Sequence, residues 1–118
     1  MNFFIPGELT TLNEFIAAMN RNRHIGAQIK KDETYRVRMA CRELPPITRY
    51  PVSLHITWYR RNKRTDPDNI AFSTKFLLDG MQQAGVLQQD TWASIASIKH
   101  DFRVDADNPG VEIVIDGE

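Results

Sequence analysis

The chain has 118 residues, 42% of them apolar and 25% charged, which sets one folded domain with a real core and excludes both global disorder and a second independent domain. Fifteen Lys and Arg balance fifteen Asp and Glu, yet residues 1–64 carry twelve basic and five acidic side chains and residues 65–118 carry three and ten. Cys41 is the single cysteine, so an internal disulfide and a cysteine-built zinc site are both excluded.

The longest apolar runs are far too short to span a bilayer, and Met1-Asn-Phe-Phe-Ile-Pro lacks a basic region and a signal-length apolar stretch. The cytoplasm is therefore the expected location, with no membrane partner. A basic half that tracks phosphates and an acidic half that holds metal ligands would suit a nuclease; equally, the two halves could interleave in the fold and neutralise each other.

Asn2–Ile5 reads as a short first strand, stopped by Pro6-Gly7. Thr11 with Glu14 three residues on is a capping-box pattern, which predicts a helix from Leu12 to about Met19. Residues 20–26 are polar and basic and read as a loop. From about Ala27 to Glu43 an imperfect apolar stripe predicts a second helix, ended by Pro45-Pro46. Cys41 then packs as a small apolar residue, since His24, His55 and His100 fall in unrelated segments and offer it no base.

Val52, Leu54, Ile56 and Trp58 alternate with Ser53, His55, Thr57 and Tyr59, the pattern of a half-buried strand with Trp58 inward and His55 on the polar side. The run Arg60-Arg-Asn-Lys63-Arg64 follows as a loop or a strand extension. It is either a solvated surface or, beside the aspartates that come next, a phosphate contact.

Asp66 with Pro67 reads as an N-cap with proline at N1, opening a helix to about Ala84 that Gly85 terminates. On one continuous helix, Asp68, Lys75 and Asp79 would share a face. Ile95 and Ile98–Val104 predict a third long strand, Val111, Ile113 and Ile115 a fourth, and Asp107-Asn-Pro-Gly110 a hairpin turn between them. The order β-α-α-β-α-β-β is that of an α+β domain, helices covering a mixed or mostly antiparallel sheet of about four strands.

Asp66, Asp68 and the later Asp90 are hard oxygen donors. A site supplying a few carboxylates, with water and phosphate oxygens completing the shell, suits Mg²⁺ and phosphodiester hydrolysis. The same Asp-x-Asp also serves as a helix cap that complements the dipole, without any metal, and Lys75 with Asp79 is also an ordinary surface ion pair.

Asp66-Pro-Asp68-Asn69, then Lys75, Asp79-Gly80-Met81, Ala84-Gly85-Val86 and Asp90 resemble the RusA family of Holliday junction resolvases. The likeness extends weakly to Leu12-Asn13 and Arg21-Asn22-Arg23 and to the strand Val111–Ile115. The resemblance implies a Mg²⁺-dependent endodeoxyribonuclease, with Mn²⁺ as a substitute ion, that acts as a homodimer and cuts a branched DNA, the four-way junction, by paired symmetric nicks.

It also implies three catalytic, metal-binding carboxylates, Asp66, Asp68 and Asp90, and an accessory lysine, Lys75. Lys75 stands seven residues after Asp68 where the family pattern has four, with Phe72 at the usual spacing, and Gln89 stands where the family often has a second acid. Phosphate contacts fall to Arg60, Arg61, Lys63 and Arg64, with Arg21 and Arg23 from the N-terminal region. The alternative is a domain of the same fold that holds junctions without cutting them.

Overall fold

The capping box forms as its spacing demands. In the computed structural model, which describes residues 1–117, the Thr11 amide donates to Glu14 Oε1 at 3.0 Å and the Glu14 amide returns to Thr11 Oγ1 at 3.4 Å. These bonds satisfy amides that the first helical turn leaves without partners, and helix α1 runs from Leu12 to Arg21. Before it lies β1 (Asn2–Pro6); after it come α2 (Arg23–Ala40), β2 (Val52–Arg60), α3 (Pro67–Ala71), α4 (Thr74–Gln83), β3 (Ile95–Val104) and β4 (Gly110–Gly117).

The expected α+β class and the order β-α-α-β-α-β-β hold, with the third helix in two pieces. Two boundaries differ from expectation. Residues 20–26 are not a loop: Asn22 caps a new helix by accepting from the His24 amide at 2.8 Å, so α2 begins at Arg23. The helix from Asp66 to Ala84 is not continuous either. It breaks at Phe72-Ser73, where the amides of Ser73, Lys75 and Phe76 bond three residues back instead of four.

Side chains cause that break. Ser73 Oγ donates to the Thr10 carbonyl and Thr74 Oγ1 donates to the Ala71 carbonyl at 2.7 Å, drawing hydroxyls and backbone out of the helical pattern. The helix still ends at Gly85, whose φ of 78° lies in the left-handed region that glycine adopts without a steric penalty.

The sheet order is β1-β4-β2-β3. β4 pairs antiparallel with both β1 and β2, and β2 pairs parallel with β3. Asp107–Gly110 is therefore not a hairpin turn between paired strands, because β2 lies between β3 and β4. The parallel pair needs a crossover connection, which α3 and α4 supply.

Val52, Leu54, Ile56 and Trp58 are buried as their alternation predicts, with Ile113 and Val111 beside them on β4 and Val37, Leu77 and Met81 from the helices. Gly80 lets α4 approach α2 closely, since a Cβ there would collide with Val37. Cys41 is fully buried, and that burial pushes its thiol above the usual range, as expected of a packing residue. Among the described residues, no helix is long and apolar enough to cross a membrane.

Candidate functional site

Asp66 occupies the N-cap position of α3 and Pro67 its first turn, but the Asp66 side chain makes no capping bond. Its carboxylate is exposed, and so is that of Asp68 in the first helical turn. Neither group takes part in an ion pair or a side-chain hydrogen bond among the described residues. Asp68, in the first turn of α3, still complements the helix dipole, whereas Asp66 does not bond as a cap and its carboxylate is left open to a cation.

Asp66 and Asn69 line a cleft of about 550 Å³ together with Arg60, Arg61, Arg64 and Thr65, and with Glu8–Thr11, Asn13, Glu14, Glu33 and Arg36. The basic run thus meets Asp66 in space as in sequence, but its members differ. Arg60 Nε lies 3.2 Å from Glu8 Oε2 and its side chain is only 13% exposed. The Arg61 amide donates to the same oxygen at 3.0 Å, and Arg61 Nε lies 3.9 Å from Oε1.

Arg64 and Lys63 carry no ion pair among the described residues, and both are exposed. Lys63 lines a second depression on the far side of Asp66, with Pro67, Ile70, Phe102 and Val104. Arg21 ends α1 and Arg23 opens α2, both exposed, and neither lines the Asp66 cleft.

The sequence reading passed over Glu8 and Glu33. Glu33 is buried, accepts from the Thr10 amide at 2.6 Å and pairs with Arg36 at 2.8 Å, bracing the cleft wall. The Glu33–Arg36 pair is local, three residues apart, but Thr10, which Glu33 braces, and Arg60 and Arg61, which Glu8 holds, come from distant segments, so nothing nearby marks the cleft role of either acid. Among the described residues, only one basic side chain of residues 1–64, His55, contacts an acid of residues 65–117: its Nε2 lies 2.7 Å from Asp101 Oδ2. No Lys or Arg of the basic half is neutralised by contact with the acidic half among the described residues.

Asp90 lies elsewhere. It sits in the segment before β3 and lines a shallow depression with Leu78, Thr91, Trp92 and Ile95–Ile98. Because β2 and β3 are parallel, Asp66 follows the C-terminal end of one strand and Asp90 precedes the N-terminal end of the other. Asp66 neighbours Phe102–Val104 at the end of β3 and Asp90 neighbours Ile95–Ile98 at its start, so the two line separate depressions at opposite ends of that strand. Among the described residues, no three His, Cys, Asp or Glu side chains gather where one ion could bind them.

The single continuous helix expected to carry Asp68, Lys75 and Asp79 is corrected as well. With the helix broken at Phe72-Ser73, Lys75 belongs to α4, where its Nζ lies 3.4 Å from Asp79 Oδ1 and its side chain is 53% exposed. Phe72 packs inward instead, its ring 5.5 Å from that of Phe15 and 5.7 Å from that of Phe76. A scan against protein-family models and a search of curated proteins find no match to this chain.

Proposed function

We propose that this protein is a Mg²⁺-dependent, structure-selective DNA endonuclease of the RusA kind, acting as a homodimer on four-way junctions. One observation carries the reading. Asp66 presents an exposed carboxylate that makes no capping bond and no ion pair, in a cleft also lined by Arg64 and Arg61, and Asp68, two residues on, is exposed and unpaired among the described residues. Two carboxylates with water and substrate phosphate are a common shell for Mg²⁺, so these residues fit the ion.

When bound, Mg²⁺ would supply charge neutralisation at phosphorus and an activated water. The chain's own residues do the rest. Arg64 and Lys63 hold the phosphate backbone on either side of Asp66, and the Glu8 bracket keeps Arg60 and Arg61 in place behind them.

Asp90 enters the proposal as the third carboxylate by way of the dimer. Within one chain it stands at the opposite end of the crossover from Asp66, so a centre containing all three draws Asp90 from the second subunit. Two such centres then arise by symmetry, as paired nicks in a two-fold junction require.

The second reading, a domain that binds junctions without cutting, draws on the absence of any three-ligand cluster among the described residues of one chain. Incubating the protein with a synthetic four-way junction and Mg²⁺, Mn²⁺ or chelator, with linear duplex as control, separates the two. Metal-dependent paired nicks confined to the junction are expected. Binding without nicks under every metal condition would sink the endonuclease reading.

A further inference from the structure

The two edges of the sheet are finished differently. β1 is short, ends in Pro6, and has its last carbonyl taken by Arg36 Nη2 at 2.9 Å. β3 is ten residues long and not one of them is buried. Its even-numbered residues Ile98, His100 and Phe102 pair with Leu54, Ile56 and Trp58, so they lie on the core side of the sheet. Yet Ile98 and Phe102 are each 37% exposed and Val104 49%, and Trp92, just before the strand, is 98% exposed. A long, partly apolar, unpaired edge is a template for another strand.

The backbone has a defined polarity for that pairing. Asp105 donates its amide to the Arg60 carbonyl at 2.8 Å, so odd-numbered residues in this part of β3 turn their amides toward β2. Ile98, His100, Phe102 and Val104 consequently turn theirs outward. The shift of register between Val52 and Ser53 inserts Ala96 as a bulge and marks where such pairing would end.

We propose that β3 pairs antiparallel with β3 of a second copy of this chain, about a two-fold axis through His100, joining two four-stranded sheets into one. The register follows from geometry and charge. A two-fold perpendicular to a continuous sheet keeps core faces on the same side, so the axis must pass through a residue. Only the two central residues, Lys99 and His100, let nearly the whole strand pair.

Centring on Lys99 sets that ammonium against its own copy, and moving one residue past His100 sets Asp101 against Asp101 and Lys99 against Arg103. Centring on His100 sets Lys99 opposite the partner's Asp101 twice over, and Ile98 opposite the partner's Phe102. Asp101 has the oxygen for it, since His55 engages only Oδ2.

This inference rests on the two-fold partner of the proposed function but not on its chemistry. It is consistent with that function, because antiparallel edges bring the start of one β3, next to its Asp90, beside the end of the other, next to Asp66.

Sedimentation of the whole chain at micromolar concentration tests it. The wild type is expected to be dimeric, and Lys99→Glu or Asp101→Lys, each setting like charges opposite, should weaken self-association roughly 10- to 100-fold. Mixing the two variants should restore association, since the new carboxylate of one then faces the new ammonium of the other. Circular dichroism of each variant checks that it is folded.

A second test needs no charge reversal. His100→Cys, in a chain whose other cysteine is buried, should form an intermolecular disulfide on oxidation, because hydrogen-bonded antiparallel partners stand about 5.5 Å apart at Cα. A monomeric wild type, variants that dimerise normally, a mixture that stays apart, or no disulfide through His100→Cys would each overturn the proposal. A dimer that responds to these substitutions as expected but nicks no junction would keep this interface and sink the endonuclease reading; junction cleavage by a dimer indifferent to them would do the reverse.

Discussion

Asp66, Asp68 and Asp90 differ in setting, so their variants separate local from assembled chemistry. Asp66→Asn, Asp68→Asn and Asp90→Asn each remove charge without bulk, and each should abolish nicking while junction affinity is kept or increased. Single-turnover cleavage and gel-shift binding on the same preparation check this; a variant nicking at near the wild-type rate leaves the centre. The Asp90 loss should be complemented when that variant is mixed with an Asp66→Asn, Asp68→Asn chain, because one heterodimer site keeps all three carboxylates.

The basic run divides in the same way. Lys63→Ala with Arg64→Ala should flatten the salt dependence of junction binding by a log–log slope of roughly 0.9 per lost contact. Arg60→Ala should instead cost about 1–2 kcal/mol of stability through loss of the Glu8 pair, read from the urea midpoint. Lys75→Ala should leave single-turnover cleavage within a few-fold of wild type, since its ammonium is engaged with Asp79 on α4.

At the scale of elements, what could be read from the chain was what its neighbours decide. Thr11 and Glu14 announce α1 because a capping box is closed within four residues, and Val52–Trp58 announce β2 because alternation is local. Thr11→Ala should cost about 1 kcal/mol, seen as a lowered urea midpoint with an unchanged slope. The break at Ser73 was not legible, because its partner, the Thr10 carbonyl, is 63 residues away. For the same reason Asp107–Gly110 looked like a hairpin: turn chemistry is encoded in four residues, whereas the insertion of β2 between β3 and β4 is decided by the whole sheet. The aspartates were legible as residue types, but the distance from Asp66 to Asp90 depends on the parallel sense of β2 and β3.

For the whole molecule, pH acts through the outer strand. Trp58 Nε1 donates to His100 Nδ1 at 3.0 Å, and burial holds the His100 pKa below its ordinary value. The unfolded chain therefore takes up this proton first as pH falls. Stability is full above about pH 6.5, the unfolded value, and is lost below it. Asp101 is shifted down, first by its hydrogen bond from His55, so its contribution is present above about pH 4 and is lost only at lower pH. Urea midpoints across this range should show the first loss in the wild type and little of it in His100→Gln; equal slopes in the two proteins would remove His100 as its source.

The sheet order has a consequence for how the chain is made. β1 has β4 as its sole neighbour in the sheet, Asn2 lying opposite Val114, and β4 also fills the space beside β2. An emerging polypeptide thus holds its first strand without a partner until almost every other residue described here has been synthesised. Helices α1 and α2 can form from local bonds meanwhile, but the sheet closes late, through contacts of very high sequence separation that make folding slow. During that interval the apolar side chains of β2 are uncovered on one flank. Arrival of β4, rather than formation of the helices, becomes the committing event, and a chain halted before Gly110 is a substrate for chaperones and proteases instead of a smaller folded protein.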